Sequence, residues 1–211
     1  LASNYKKINK AKFSSGRQSS AHRVLIFMIK TIIFDADGMV IHREMYFSQR
    51  LSQEFGVPME KVLPFFKNEF KLCLAGKADL KQELGKYLDG WNWKKSVDDL
   101  LLFWFEHESN LDKEILGNIT DLRNNGIRCY LDTNNEKYRV RYLSDNLGLK
   151  NFFDGVFSSA EIGFLKPQPE FWSAIHERIG KPDKSEVLVW DDDKENVESA
   201  KNFGFNSELY L

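Results

Sequence analysis

Cysteine is scarce: the chain of 211 residues has two, Cys73 and Cys129. They stand at no metal-ligand spacing, and Cys129 sits in an apolar run. Buried free thiols in a reducing, cytoplasmic compartment are therefore expected in preference to a disulfide. Long hydrophobic runs are absent as well. The most apolar stretch, Val24 to Phe34, is broken by Lys30 and falls far short of the roughly 20 residues that a bilayer requires. No small-residue cleavage site follows it, as a secretory signal would need. Charge of one sign is missing too. A formal net charge of −1 creates no global field toward nucleic acid or an anionic membrane. Histidine offers no metal pair, since His42, His107 and His176 lack companions at ligand spacing.

One absence is local. Residues 1–23 contain no acid, while Lys6, Lys7, Lys10, Lys12, Arg17 and Arg23 fall among many serines. Such a composition is shared by transit peptides. Leu1 is not a start residue, and Met28 directly precedes the first apolar strand pattern. The tail is therefore expected to be disordered or non-native, a tag or upstream translated sequence. It lacks the aromatic and basic spacing that a nucleic-acid arm needs for base stacking.

What the rest of the chain does contain is alternation. Short apolar runs alternate with amphipathic stretches, the pattern of a parallel sheet covered by helices. Met28 to Phe34, Ile127 to Leu131, Gly155 to Phe157, Val187 to Trp190 and Ser207 to Leu211 read as strands. Helical spacing marks Leu111 to Asn125, Glu136 to Leu147, Gln168 to Ile179 and Lys194 to Phe203. A doubly wound α/β core over residues 24–44 and 111–211 is thus expected. Residues 45–110 show no convincing strand. Their apolar groups predict a small helical insert, with Trp91, Trp93 and Trp104 as packing residues and Pro58, Pro64 and Gly76 at its corners.

Four polar clusters fall at the C-terminal ends of predicted strands or just beyond: Asp35-Ala36-Asp37-Gly38, Thr133-Asn134, Lys166-Pro167 and Asp191-Asp192-Asp193. In an open parallel sheet that edge binds ligands. A lone Asp-x-Asp-Gly is weak, because turns favour Asp and Gly anyway. Four such clusters in one order are much harder to attribute to turn chemistry.

These segments resemble the haloacid dehalogenase (HAD) superfamily of phosphohydrolases. IIFDADGMV resembles its first motif, YLDTNN its second, GFLKPQPEFW its third, and VLVWDDDKENVESAKNFG its fourth. The resemblance spans about residues 29–211 and implies a Rossmannoid fold whose insert is a C1-type helical cap. It implies Asp35 as nucleophile and Mg²⁺ ligand, and Asp37 as a second ligand through its backbone carbonyl and as general acid and base through its side chain. Asp192 becomes the third protein ligand, with Asp191 ordering a metal-bound water behind it. Thr133 and Lys166 would hold and neutralise the phosphoryl group, assisted by backbone N–H groups near Gly38 and Asn134.

The chemistry explains why these residue types occur together. A phosphate dianion repels an anionic nucleophile, so charge must be neutralised before a carboxylate approaches phosphorus. A hard cation with oxygen ligands does this. Asp193 reads as a helix N-cap. Two positions depart from the family pattern: Met39, where Thr or Val is usual, and Asp132, where the family has an apolar or small residue. A second carboxylate at that strand end is costly unless it points away or is paired. The implied activity is cleavage of a small phosphorylated metabolite, with a phosphomutase or a non-catalytic binding module as alternatives. Dehalogenation is disfavoured, because that branch lacks the aspartate present here as Asp37. No protein partner is indicated.

Overall fold

The structure, a computed structural model, describes residues 29–211. The basic tail, residues 24–27 of the expected core and Met28, the first residue of the first expected strand, lie outside the described residues. In chain order the elements are β1 (Thr31–Asp35), β2 (Ile41–His42), α1 (Phe47–Phe55), α2 (Met59–Lys67), α3 (Glu69–Leu74), α4 (Leu80–Gly85) and α5 (Val97–His107). There follow β3 (Asn110–Leu111), α6 (Lys113–Asn124), β4 (Arg128–Thr133), α7 (Lys137–Arg141), β5 (Gly155–Ser158) and α8 (Ser159–Ile162). The chain closes with α9 (Pro169–Arg178), β6 (Val187–Asp191), α10 (Lys194–Phe203) and β7 (Asn206–Leu209).

Every residue of β1 is buried, as a strand covered on both faces requires, and this accounts for its unbroken Thr-Ile-Ile-Phe run. The sheet order is β5-β4-β1-β6-β7, parallel throughout. Side chains alternate between its faces. Ile32 and Phe34 join Cys129, Leu131, Leu188 and Trp190 on one face, under Leu116, Ile119 and Leu122 of α6. Ile33, Val187 and Val189 form the other, under Phe171, Trp172 and Ile175 of α9 and Ala200 of α10. After β1 the chain moves to one side, through β4 to β5, and then crosses to β6 on the other. The strand order reverses beside β1, so the crevice at its carboxyl end is where a ligand has room.

Helices α1 to α5 bury an aromatic cluster of their own, in which Phe47 stacks on Trp104 at 4.6 Å and Trp91 and Trp93 are buried. The indole N–H of Trp91 donates to the Lys61 carbonyl, joining α2 to the segment before α5. Both chain passages between insert and core run through a two-stranded antiparallel ribbon that pairs Ile41 with Leu111 and His42 with Asn110. The sequence reading missed it and started the α6 helix at Leu111, because two residues carry no readable periodicity. His42 Nε2 and Asp112 Oδ2, at 3.0 Å, tie the two strands of the ribbon diagonally. The helix expected over 136–147 is α7 followed by a π turn at Tyr142–Asn146. At the insert's tip, Gly76 (φ +68°) lies so close to the core that a Cβ there would stand 2.2 Å from the Ala160 carbonyl oxygen.

Trp172 is fully buried and its indole N–H donates to Ser199 Oγ of α10 at 2.9 Å. Trp172→Ala should therefore cost about 3–5 kcal/mol, the range for emptying an aromatic site in a core. Equilibrium urea denaturation measures this, and a loss below about 1 kcal/mol would contradict the packing described.

Candidate active site

The crevice beside β1 holds one buried ammonium and three buried carboxylates. Lys166 Nζ lies 2.7 Å from Asp35 Oδ1, 2.8 Å from Asp191 Oδ2 and 3.1 Å from Asp132 Oδ1. Strand register makes this possible. Asp35 ends β1, Asp132 is its partner on β4, and Asp191 ends β6 on the other side. The Lys166 loop is fixed from β4's end, where Asn134 Oδ1 accepts the Lys166 N–H at 2.9 Å and Asn134 Nδ2 donates to the Lys166 carbonyl at 3.1 Å. The Asn134 side chain thus clamps the lysine's backbone.

Burial and charge set the proton affinities. Burial raises the Asp35 carboxyl well above the usual range; Lys166 opposes this, while Asp191 and Asp132 add to it. Burial also lifts Asp132 to about 7, against the pull of Lys166, with Asp191 adding to the rise. For Lys166, burial works against the charge, yet Asp132, Asp35 and Asp191 together hold the ammonium well above its ordinary value. The unusual Asp132 is thus paired through one oxygen, while its Oδ2 is buried without a hydrogen-bond partner.

Asp191 is engaged on both oxygens. Oδ1 accepts the Asp193 N–H at 2.8 Å, and Asn196 Nδ2 donates to Oδ1 and Oδ2 at 3.1 and 3.2 Å. Asp193 caps α10 through its side chain, which accepts the Glu195 N–H. Exposed Asp192 faces the crevice, and burial of its carboxyl followed by the charge of Asp191 raises its proton affinity. Ligand oxygens of Asp35, Asp191 and Asp192 lie within 4.8 Å of one another. This all-oxygen, acidic set fits a hard divalent cation such as Mg²⁺. Gly38 makes room for it: with φ +98°, a Cβ there would stand 1.9 Å from Asp192 Oδ2. The Gly38 N–H itself donates to the Ile41 carbonyl at 2.8 Å, so it closes the turn after β1.

Asp37 and Thr133 meet through a residue that the sequence reading passed over. Asn135 Nδ2 donates to Asp37 Oδ2 at 2.5 Å and to Thr133 Oγ1 at 2.6 Å. The other Asp37 oxygen lies 3.7 Å from Arg139 of α7. Arg139, also missed, is buried and donates to the carbonyls of Phe105 and Glu108 and to Ser109 Oγ, at the insert's return passage. Asn135 and Asn196 were within reach of the sequence, since Asn135 ends the YLDTNN segment and Asn196 lies within VLVWDDDKENVESAKNFG. Arg43, Glu108 and Arg139 were not, because their places depend on how the insert seats. The shared cleft, about 240 Å³, is lined by Asp35, Asp37, Thr133, Lys166 and Asp192 from the core and Phe70, Trp104 and Phe105 from the insert.

Residues 29–204 match the family model of the haloacid dehalogenase-like hydrolases. The chain belongs to that family. The hydrolase is 24% identical over 185 residues, 83% of it and 82% of the relative, to a phosphorylated carbohydrates phosphatase of Thermotoga maritima. It is 32% identical over 92 residues, 43% of it and 40% of the relative, to a glyceraldehyde 3-phosphate phosphatase of Methanothermobacter thermautotrophicus. A HAD family enzyme from Bacteroides thetaiotaomicron, solved in complex with magnesium and inorganic phosphate, has a similar fold. The match has a TM-score of 0.74 at 19% identity, covering 86% of the hydrolase and 93% of that chain. Among the described residues no helix is long and apolar enough to cross a membrane.

The Asp132 carboxyl yields a stability test. Its folded-state proton affinity is raised, so its favourable contribution is complete below about pH 4 and is lost as pH rises through about 7. In metal-free protein, Asp132→Asn should match the wild type in stability near pH 4 and exceed it above about pH 7. Thermal unfolding with a chelator across that range measures the difference; a variant less stable than wild type at pH 8 would refute the assignment.

Proposed function

We propose that this hydrolase is a Mg²⁺-dependent phosphatase that cleaves a small phosphate monoester through an aspartyl-phosphate on Asp35. The observation that carries the reading is the position of the Asp35 carboxylate. It lies at the switch point of the sheet, with the Lys166 ammonium at 2.7 Å and the Asp192 carboxylate in the same oxygen cluster. The relatives named as phosphatases and the Bacteroides neighbour's magnesium and phosphate support it.

In this reading Asp35 and Asp192 hold the metal through their side chains and Asp37 through its backbone carbonyl. Asp191, engaged with Lys166, Asn196 and the Asp193 N–H, stands behind them. When bound, the cation neutralises charge on nucleophile and phosphoryl group. Asp35 forms a bond to phosphorus as the ester oxygen leaves, and Asp37 gives that oxygen a proton. Water then attacks the aspartyl-phosphate and gives a proton to Asp37 as its oxygen bonds phosphorus, and inorganic phosphate leaves as the Asp35 O–P bond breaks and restores the carboxylate. Asn135 and Arg139 orient Asp37 for both transfers. Thr133 donates its hydroxyl to a phosphoryl oxygen, while its own oxygen accepts from Asn135. Lys166 balances the negative charge of Asp35 and its neighbours, the kind of preorganised electrostatics that dominates phosphoryl transfer. The insert acts as a cap, and the small cleft beneath it selects a small phosphorylated metabolite.

Phosphate release from p-nitrophenyl phosphate and a panel of small phosphate esters, with Mg²⁺ or with chelator, tests this reading. Asp35→Asn should lower kcat by about a thousandfold or more. Activity undiminished in that variant, or equal with chelator, would exclude the mechanism. Gly38→Ala places a methyl where Asp192 Oδ2 stands. It should raise the Mg²⁺ concentration for half-maximal activity by about tenfold or more, read from a metal titration; an unchanged midpoint would remove Asp192 from the ligand set.

A further inference from the structure

Arg43 is a cation that the reaction described above does not use. It follows β2, whose ribbon partner and His42–Asp112 link hold the backbone in place where the chain enters the insert. Its side chain lines the same cleft as Asp35 and Lys166 and is 30% exposed. Among the described residues its guanidinium makes an ion pair at 3.7 Å with Glu108 Oε2 and lies 4.9 Å from the Tyr46 ring, and no hydrogen bond engages its N–H groups. Arginine carries five donors in a planar fork, matched to carboxylate or phosphate.

The surrounding groups decide what such a fork would take. The cleft that Arg43 lines also carries Arg139, Glu108 and Glu136. Glu136 is already engaged on both oxygens by the N–H groups of Tyr138 and Arg139. Glu108 accepts the Phe47 N–H at 2.6 Å. Burial raises the proton affinity of both acids, which weakens their competition for Arg43. Arg139 is turned to the carbonyls of the return passage and to Asp37. Arg43 therefore brings N–H donors that make no hydrogen bond into the cleft it shares with Asp35 and Lys166. Phe70, Trp104 and Phe105 line the same cleft, which has a volume of about 240 Å³.

We propose that Arg43 is a specificity-determining residue that binds a second anionic group, a carboxylate or another phosphate, on the leaving group of a short-chain phosphate monoester. This rests on the phosphatase reading of the same cleft and narrows it to acidic substrates.

The test compares two phosphate esters that differ in that group alone: 3-phospho-D-glycerate, with a carboxylate, and sn-glycerol 1-phosphate, with a hydroxymethyl at the same C2 configuration. With Mg²⁺, wild-type kcat/KM should favour the phosphoglycerate by about tenfold or more. In Arg43→Met that ratio should fall by about tenfold or more, chiefly through KM, with Arg43→Lys between the two. A wild-type ratio at or below one overturns the inference, and so does a ratio that survives in Arg43→Met. Should Arg43→Met fail to fold, the wild-type ratio and the Arg43→Lys ratio decide. Absence of turnover on both esters and on p-nitrophenyl phosphate overturns the phosphatase reading instead. Binding then tests Arg43 separately, by calorimetric titration of Asp35→Asn with each ester and Mg²⁺. Phosphoglycerate should bind about tenfold tighter, and equal affinity refutes the assignment.

Discussion

One ammonium among three buried carboxylates governs the catalytic end of this molecule. Lys166 is pulled into a site with almost no exposure, where an isolated cation would be expelled or neutralised. It is held there because Asp35, Asp132 and Asp191 surround it, and they in turn are tolerated because it is present. Negative charge still exceeds positive charge, as the raised proton affinities of Asp35 and Asp132 record. That imbalance is one a divalent cation would relieve, and an ion bound there would stabilise the folded chain.

The sheet supplies the precision. Strands β1, β4 and β6 run parallel and end at the same edge, so three acids from distant stretches of chain arrive within reach of one lysine. Asparagine side chains then fix what strand geometry leaves loose. Asn134 clamps the Lys166 backbone, Asn135 joins Asp37 to Thr133, and Asn196 holds Asp191. Amides suit this task because they donate and accept without adding charge to a site already short of cations.

The insert is joined to the core at more than its ribbon. Asp79 accepts from Tyr138 Oη at 2.8 Å and pairs with Lys137 at 2.6 Å, while Gly76 abuts Ala160. Arg139 links the insert's return passage to Asp37. Asp37 is thereby bound to the seating of the helices above it, and the cleft exists only where the two layers meet.

Much of this was legible in the chain. The apolar runs and the acids that end them located β1, β4 and β6 and the edge on which chemistry would collect, because strand burial and turn chemistry are local properties. Asp35, Asp37, Thr133, Lys166, Asp191 and Asp192 follow from that order. The cost of a carboxylate at Asp132 was also apparent, since it depends on burial at a strand end and on little else. What the sequence could not express was partnership across elements: the two-residue ribbon, the pairing of Asp132 with Lys166, and the places of Arg43, Glu108 and Arg139. Those depend on strand register and on how the insert sits over the sheet. Charge and hydrogen bonding act between groups that only the folded chain brings within a few ångströms. The sequence by itself determined which chemistry the molecule carries; the tertiary structure decided which cation faces which acid, because that is settled by distance and burial, and neither is written in the order of residues.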